Sequence, residues 1–226
     1  MLGINQYRVQ VATMTTIAQD TVQLTVQMPA EFRFKPGQYI TLELADVAFD
    51  NPREAFRDFS ISSSPDQLPL LSVAFRTGRS LFKKTLTSLK PGADILVGGP
   101  KGVFLVPASG SVTMIAGGIG ITPFISMLDT KNHFQKHPAS SLYYFNRDAQ
   151  HVAFLPVLQA PHDTMTIQAH VGQASVANIP EAELNDQQRT WFISGPPAMV
   201  ETVLQSLMDK GVQPERIRTE EFSGYV

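Results

Sequence analysis

Ile115-Ala116-Gly117-Gly118-Ile119-Gly120-Ile121-Thr122-Pro123 lies at the middle of the 226-residue chain and decides its architecture. Val112-Thr113-Met114-Ile115-Ala116 leads into it, a short apolar run of the kind buried inside a parallel sheet. Three glycines then let the backbone approach a diphosphate with its N–H groups turned inward. Thr122 is placed to cap a following helix, and Pro123 suits that helix's first turn. A helix N-terminus at this point favours an anion. This is the first strand-to-helix turn of its half of the chain, where open α/β sheets hold dinucleotides. The pattern departs from the common G-x-G-x-x-G, because Pro123 takes the third glycine's place. A tight turn without a ligand has the same composition, so the loop needs company before it means a site.

Downstream, strands and helices alternate. Leu142-Tyr143-Tyr144-Phe145, Met165 to Val171 and Trp191-Phe192-Ile193 read as strands, and Ala153 to Leu158 as a short helix. Pro197 to Asp209 has an apolar face of Val200, Val203, Leu204, Leu207 and Met208, with Gly211 beyond it as a C-terminal cap. Such alternation predicts an α/β domain with a parallel sheet. Upstream, the rhythm has period two. Tyr7 to Thr13, Val22 to Met28, Gln38 to Leu44, Leu70 to Phe75 and Ile95 to Val97 read as strands, punctuated by Pro36-Gly37, Pro65-Asp66 and Pro91-Gly92. Only Ser80 to Leu89 looks helical there. The expected fold class is β followed by α/β: an antiparallel Greek-key barrel over 1–107, then a parallel-sheet α/β domain over 108–226.

Composition narrows the function classes. Apolar residues make up 43% and charged residues 17%, an ordinary globular balance. The net charge of −2 argues against general nucleic-acid binding. The absence of cysteine removes disulfides, thiolate nucleophiles and cysteine-ligated zinc or iron–sulfur centres. No run reaches transmembrane length and the first residues do not read as a signal peptide, which predicts a cytoplasmic protein. No metal site is expected. His133 and His137 are the one histidine pair at suggestive spacing, and they read as exposed near a helix end.

Arg57-Asp58-Phe59-Ser60-Ile61-Ser62-Ser63 is the second stretch with chemistry. Strand alternation puts Arg57 and Phe59 on one side and Asp58 and Ser60 on the other. An arginine can neutralise a phosphate bidentately, an aromatic can cover a flat ring system, and a serine hydroxyl can donate or accept at a ring nitrogen. Arg76-Thr77-Gly78-Arg79-Ser80 then ends a strand and opens the barrel's helix, a second helix N-terminus suited to phosphate. Taken singly, each feature reads equally well as an ordinary strand or turn.

Together these stretches resemble the ferredoxin–NADP reductase superfamily, in the right order and over nearly the whole chain. Arg57-Asp58-Phe59-Ser60 is similar to the family's Arg-x-Tyr-Ser flavin motif, and Gly78-Arg79-Ser80 to its second flavin-diphosphate loop. Gly99-Pro100-Lys101-Gly102-Val103-Phe104 is similar to the element that closes the barrel, and Gly117 to Pro123 to the nicotinamide-dinucleotide loop. Ser194-Gly195-Pro196-Pro197 is similar to the Cys-Gly-Pro-Pro element. Glu220-Glu221-Phe222-Ser223-Gly224-Tyr225 is similar to the acidic-aromatic ending.

The resemblance implies a flavoprotein that passes hydride from NAD(P)H to FAD, or less typically FMN, and electrons onward to a carrier such as ferredoxin or flavodoxin. It also admits reduction of free flavin, or a role as the electron-input subunit of a larger complex. It implies cofactor contacts at Arg57, Phe59, Ser60, Ile61, Ser62, Arg76, Gly78, Ser80 and Leu81 for the flavin. For the dinucleotide it implies Gly117, Gly118, Gly120, Thr122, Pro123, Asn146, Arg147, Gly195 and Pro196. Phe222 or Tyr225 would lie near the flavin, and Ser60, Ser194 and Glu221 would be catalytic. Phe59 stands where the family has Tyr, and Ser194 where it has Cys. Arg147 tilts the reading slightly to NADPH and Asp148 blurs it, while a solvated charge pair in a loop reads equally well, so the coenzyme stays open. Residues 76 to 101 hold Arg76, Arg79, Lys83, Lys84, Lys90 and Lys101 against Asp94 alone, which reads equally as a surface on which an acidic carrier can dock and as a solvated face that helps neutralise flavin phosphates.

Overall fold

The computed structural model describes residues 5–44, 47–162 and 164–222. Contacts divide the chain into two compact units. Among the described residues, one holds those from 5 to 105 together with Thr122–Lys131, and the other holds Val106–Ile121 and those from 132 to 222.

The first unit is an antiparallel barrel of six strands: β1 (Gln6–Ala18), β2 (Thr21–Gln27), β3 (Tyr39–Glu43), β4 (Phe56–Ser60), β5 (Leu70–Arg76) and β6 (Asp94–Lys101). They pair in the order β4-β3-β6-β1-β2-β5, and a bridge between Ile61 and Val73 ties the two ends together. β1 is long enough to serve two neighbours because register shifts at Val11/Thr13 and Thr16/Ala18 bend it. The period-two apolar residues face inward. Val9, Val11, Leu24, Val26, Ile40, Leu42, Val73 and Val97 are all buried in one cluster. Helix α1 (Leu81–Ser88) buries Phe82 and Leu86 in the same cluster.

Helix α2 (Thr122–Leu128) completes this unit although it follows the glycine turn in sequence. Ser126 donates its hydroxyl to the Ser63 carbonyl at 2.6 Å, and the Phe124 ring lies 5.7 Å from that of Phe104. Gln67 donates to the Asp129 carboxylate at 2.5 Å, and Asp66 accepts from the Lys131 N–H.

The second unit is a five-stranded parallel sheet in the order β11-β10-β7-β8-β9. Its strands are β7 (Val112–Gly117), β8 (Ser140–Asn146), β9 (Met165–Val171), β10 (Thr190–Gly195) and β11 (Ile217–Glu221). β7 and β8 are buried along their whole length, the mark of a sheet covered on both faces. Helix α3 (Leu155–Gln159), helix α4 (Glu181–Leu184) and helix α5 (Pro197–Asp209) complete it. α5 packs Val200, Val203 and Leu207 against Ile115, Tyr143, Trp191 and Ile193.

A buried polar knot ties the opening ends of β7 and β8 to α4. The Glu183 carboxylate accepts from Thr113 at 2.7 Å, Ser141 at 2.7 Å, Tyr143 at 3.0 Å and Arg189 at 3.3 Å. Arg189 also donates to the Ala139 carbonyl and pairs with Asp186. Burial and the neighbouring carboxylate push the Tyr143 phenol well above its usual range, so it stays a donor.

Two expectations are corrected. Thr122 does not cap a helix, because a 3-10 turn over Gly118–Ile121 runs straight into α2 and places Thr122 inside a continuous helical path. His137 is not exposed: it is 2% accessible, its Nδ1 lies 2.8 Å from the Gly110 carbonyl, and its ring packs edge-on to Phe134.

Candidate functional site

β5 ends at Arg76, and the turn Thr77-Gly78-Arg79 hands the chain to α1. The Thr77 N–H donates to the Asp20 carbonyl and pins the turn. Ser80 caps the helix by accepting from the Lys83 N–H at 3.3 Å. Lys83 folds its chain back over Gly78, where a Cβ would stand 2.9 Å from its Cδ and 3.6 Å from its Nζ. Arg57 reaches the same end of α1. Its guanidinium lies 5.4 Å above the Phe82 ring and donates to the Arg53 and Phe56 carbonyls. Burial, then the charges of Arg57 and Arg76, hold the Lys83 ammonium below the usual lysine range. Three cations thus share one helix N-terminus. Their mutual repulsion is relieved by an anion, which is how a phosphate fits this place.

The remaining flavin candidates divide. Phe59 is 8% exposed and belongs to the barrel core, with Phe75 at 5.6 Å and Phe82 stacked at 6.2 Å. The expected flat cover over a flavin ring is therefore not what this side chain presents. The register explains it: Arg57 and Phe59 pair with Leu42 and Ile40, whose side chains are both core residues. Ser60 is buried at the end of β4. Ile61 and Ser62 are buried too, with their N–H groups donated to the Gln38 and Ser72 carbonyls. Leu81 is half exposed beside the cap.

In the second unit the glycines do two different things. Gly118 has a φ of +53°, which favours glycine. Gly120 is a close-approach residue: a Cβ there would overlap the Ser194 carbonyl and come within 2.6 Å of the Gly195 Cα. The glycine turn and the end of β10 are therefore packed backbone to backbone. Gly117 and Gly195, at the ends of β7 and β10, both lie against the Met199 side chain. Pro123 is buried within α2 and Pro196 is exposed ahead of α5.

Two buried polar side chains stand at the carboxyl edge of this sheet. Ser194 is fully buried, and its Oγ has no hydrogen-bond partner. Asn146 closes β8, and neither its Oδ1 nor its Nδ2 has one. Unpartnered polar atoms of this kind call for a ligand or ordered water. The register of β11 adds a residue that sequence reading passes over. Glu220 pairs with Ser194 and so shares its sheet face, whereas Glu221 pairs with Gly195 and faces the other way. The Phe222 N–H donates to the Gly195 carbonyl. Tyr225 lies outside the described residues.

No family model matches the chain. Among solved structures, it superposes on a ferredoxin NADP+ reductase from Neisseria gonorrhoeae, with bound FAD and NADP, at a TM-score of 0.81. That match has 18% identity and covers 97% of this chain and 99% of that one. The chain has the ferredoxin–NADP+ reductase fold. Two curated relatives of this reductase-fold chain come from Pseudomonas putida. One is the toluate 1,2-dioxygenase electron transfer component, 25% identical over 96% of this chain and 68% of the relative. The other is oxidoreductase NdmD, 28% identical over 84% of this chain and 32% of the relative. The chain thus spans between about a third and about two thirds of the length of these relatives.

Sequence reading of this reductase fold passes over Lys83, Glu220 and Met199 as site residues. Lys83 looks like one more exposed helix charge. Glu220 and Glu221 differ only in register, which pairing reveals. Met199 shows its place only once Gly117 and Gly195 are seen against it.

Proposed function

We propose that the chain is a flavoprotein reductase, taking hydride from NAD(P)H and passing electrons to a separate carrier. The gathering of Arg57, Arg76 and Lys83 at the N-terminus of α1 carries this reading, because the phosphates of FAD supply the anion that such a cluster requires. Bound FAD supplies a two-electron acceptor that can release its electrons singly. The chain's own residues bind and orient. Arg57 and Lys83 neutralise phosphate charge. The Ser80 hydroxyl accepts from the helix and keeps its proton to donate. Gly118 and Gly120 let the backbone approach a dinucleotide, with the unpartnered Ser194 Oγ and Asn146 amide as polar contacts at the same sheet edge. Glu220, on the face of Ser194, is the carboxylate that moves a proton.

The relatives' names point to an oxygenase-linked electron chain, and the basic 76–101 segment suits an acidic carrier of the ferredoxin or flavodoxin kind. With no cysteine in the sequence, an iron–sulfur centre must belong to another segment or protein. Among the described residues no helix is long and apolar enough to cross a membrane. We assign the protein to the cytoplasm, where NAD(P)H is made. The test is flavin itself. Purified protein is expected to be yellow, with its absorption bleached by NADH or NADPH under nitrogen. Colourless protein that takes up neither FAD nor FMN overturns the reading.

A further inference from the structure

Asn146-Arg147-Asp148 closes β8, the strand beside the one that feeds the glycine turn. At such a strand end an arginine favours a 2′-phosphate on the adenosine ribose, and a carboxylate favours a free 2′-hydroxyl. The chain carries both, and the side-chain geometry separates them. His151 is 3% exposed and stands as a fixed post beneath the turn. Its Nδ1 lies 2.6 Å from the Asp148 Oδ1. The Arg147 Nε lies 3.2 Å from the His151 Nδ1, and the Arg147 Nη2 contacts the His151 Nε2. The Arg147 Nε lies 3.6 Å from the Asp148 Oδ2. The Nε–Nη2 edge of the guanidinium, one of the two edges that can grip a phosphate, is therefore turned onto its own neighbours.

Asp148 is held just as firmly. Its Oδ1 also accepts from the Gln150 and His151 N–H groups at 3.0 and 3.2 Å, which caps the 3-10 turn over Ala149–His151. The carboxylate nevertheless stays 47% exposed. The hydrogen bond from His151 holds it below the usual aspartate range, so it remains ionised. Beside it, the buried Asn146 amide has no partner and marks the place as one that receives a ligand.

We propose that the Arg147–Asp148–His151 cluster selects NADH over NADPH. The Asp148 carboxylate accepts from a ribose 2′-hydroxyl, and a 2′-phosphate in the same place meets that carboxylate while the arginine is engaged elsewhere. This assignment rests on the dinucleotide reading of the sheet edge. Flavin-loaded protein titrated calorimetrically with 5′-AMP and with 2′-phospho-5′-AMP tests it without any turnover. The wild type is expected to bind 5′-AMP about tenfold the tighter, the scale of one charge-assisted contact. Asp148→Asn keeps a capping side chain but removes the charge and Arg147's ion pair with it, so the preference is expected to move toward the phosphorylated probe. Adding Arg147→Gln is expected to cancel that gain. Tighter binding of the 2′-phospho probe by the wild type overturns the proposal, and so does an unchanged ratio in Asp148→Asn. If neither probe binds and neither NADH nor NADPH bleaches the flavin, the dinucleotide reading itself fails and the proposal falls with it.

Discussion

Lys83 shows how a single side chain can oppose the fold and favour the ligand. Its ammonium is held below the usual lysine value by burial and by Arg57 and Arg76. For a base with a lowered value in the folded state, the charged form is the costly one. That cost is present at neutral pH and is relieved as pH rises through the lowered value. Lys83→Met is therefore expected to raise the melting temperature of the flavin-free protein. It is also expected to weaken FAD binding about tenfold, one charge-assisted contact, in a flavin fluorescence titration. Unchanged affinity would mean that the side chain only covers Gly78. Residues of this sort are the least legible in a sequence. Alternation placed Arg57 and Phe59 on the same side of β4, and that is correct. It does not say that this side is the barrel core, where the Phe59 ring packs on Phe82. His137 misleads in the same way: spacing suggests an exposed pair, and burial against Phe134 decides otherwise.

At the scale of elements the sequence is far more readable, since periodicity reports burial directly. The period-two runs of the first half become β1 to β6, and the short apolar runs of the second half become the parallel strands. What periodicity omits is partner register. β11 runs over Ile217–Glu221, and only its pairing with β10 tells which of two adjacent glutamates meets the face of Ser194. Glu220→Gln is accordingly expected to slow flavin reduction by NADH about a hundredfold and to flatten its pH dependence. Glu221→Gln should stay within about threefold of the wild type. Stopped-flow traces at several pH values separate them, and equal effects would mean that strand face does not decide the role. Thr122 makes the same point for helices. A threonine before Pro123 has every feature of a cap, yet the 3-10 turn begins four residues earlier, at Gly118.

For the whole molecule, stability has a visible anchor in the polar knot of Glu183 and Arg189. Both side chains are largely buried, at 13% and 5% exposure, and the carboxylate accepts from four side chains on two strands and a loop. Arg189→Met leaves that carboxylate without its cation, and breaking a buried pair on one side costs about 3–5 kcal/mol. The urea midpoint should fall accordingly, while flavin content of the folded protein stays unchanged. A midpoint within error of the wild type would show that the pair contributes little. Helix α2 has a different bearing on the whole. Its residues belong to the first unit, while the stretches before and after it belong to the second. Among the described residues the polypeptide therefore passes from one unit to the other three times, and no single cut yields both of them whole. A cassette beginning at residue 108 would carry a helix whose partners, Ser63 and Phe104, were left behind. Shuffling of such modules between proteins, by nature or by design, has to move the two units together.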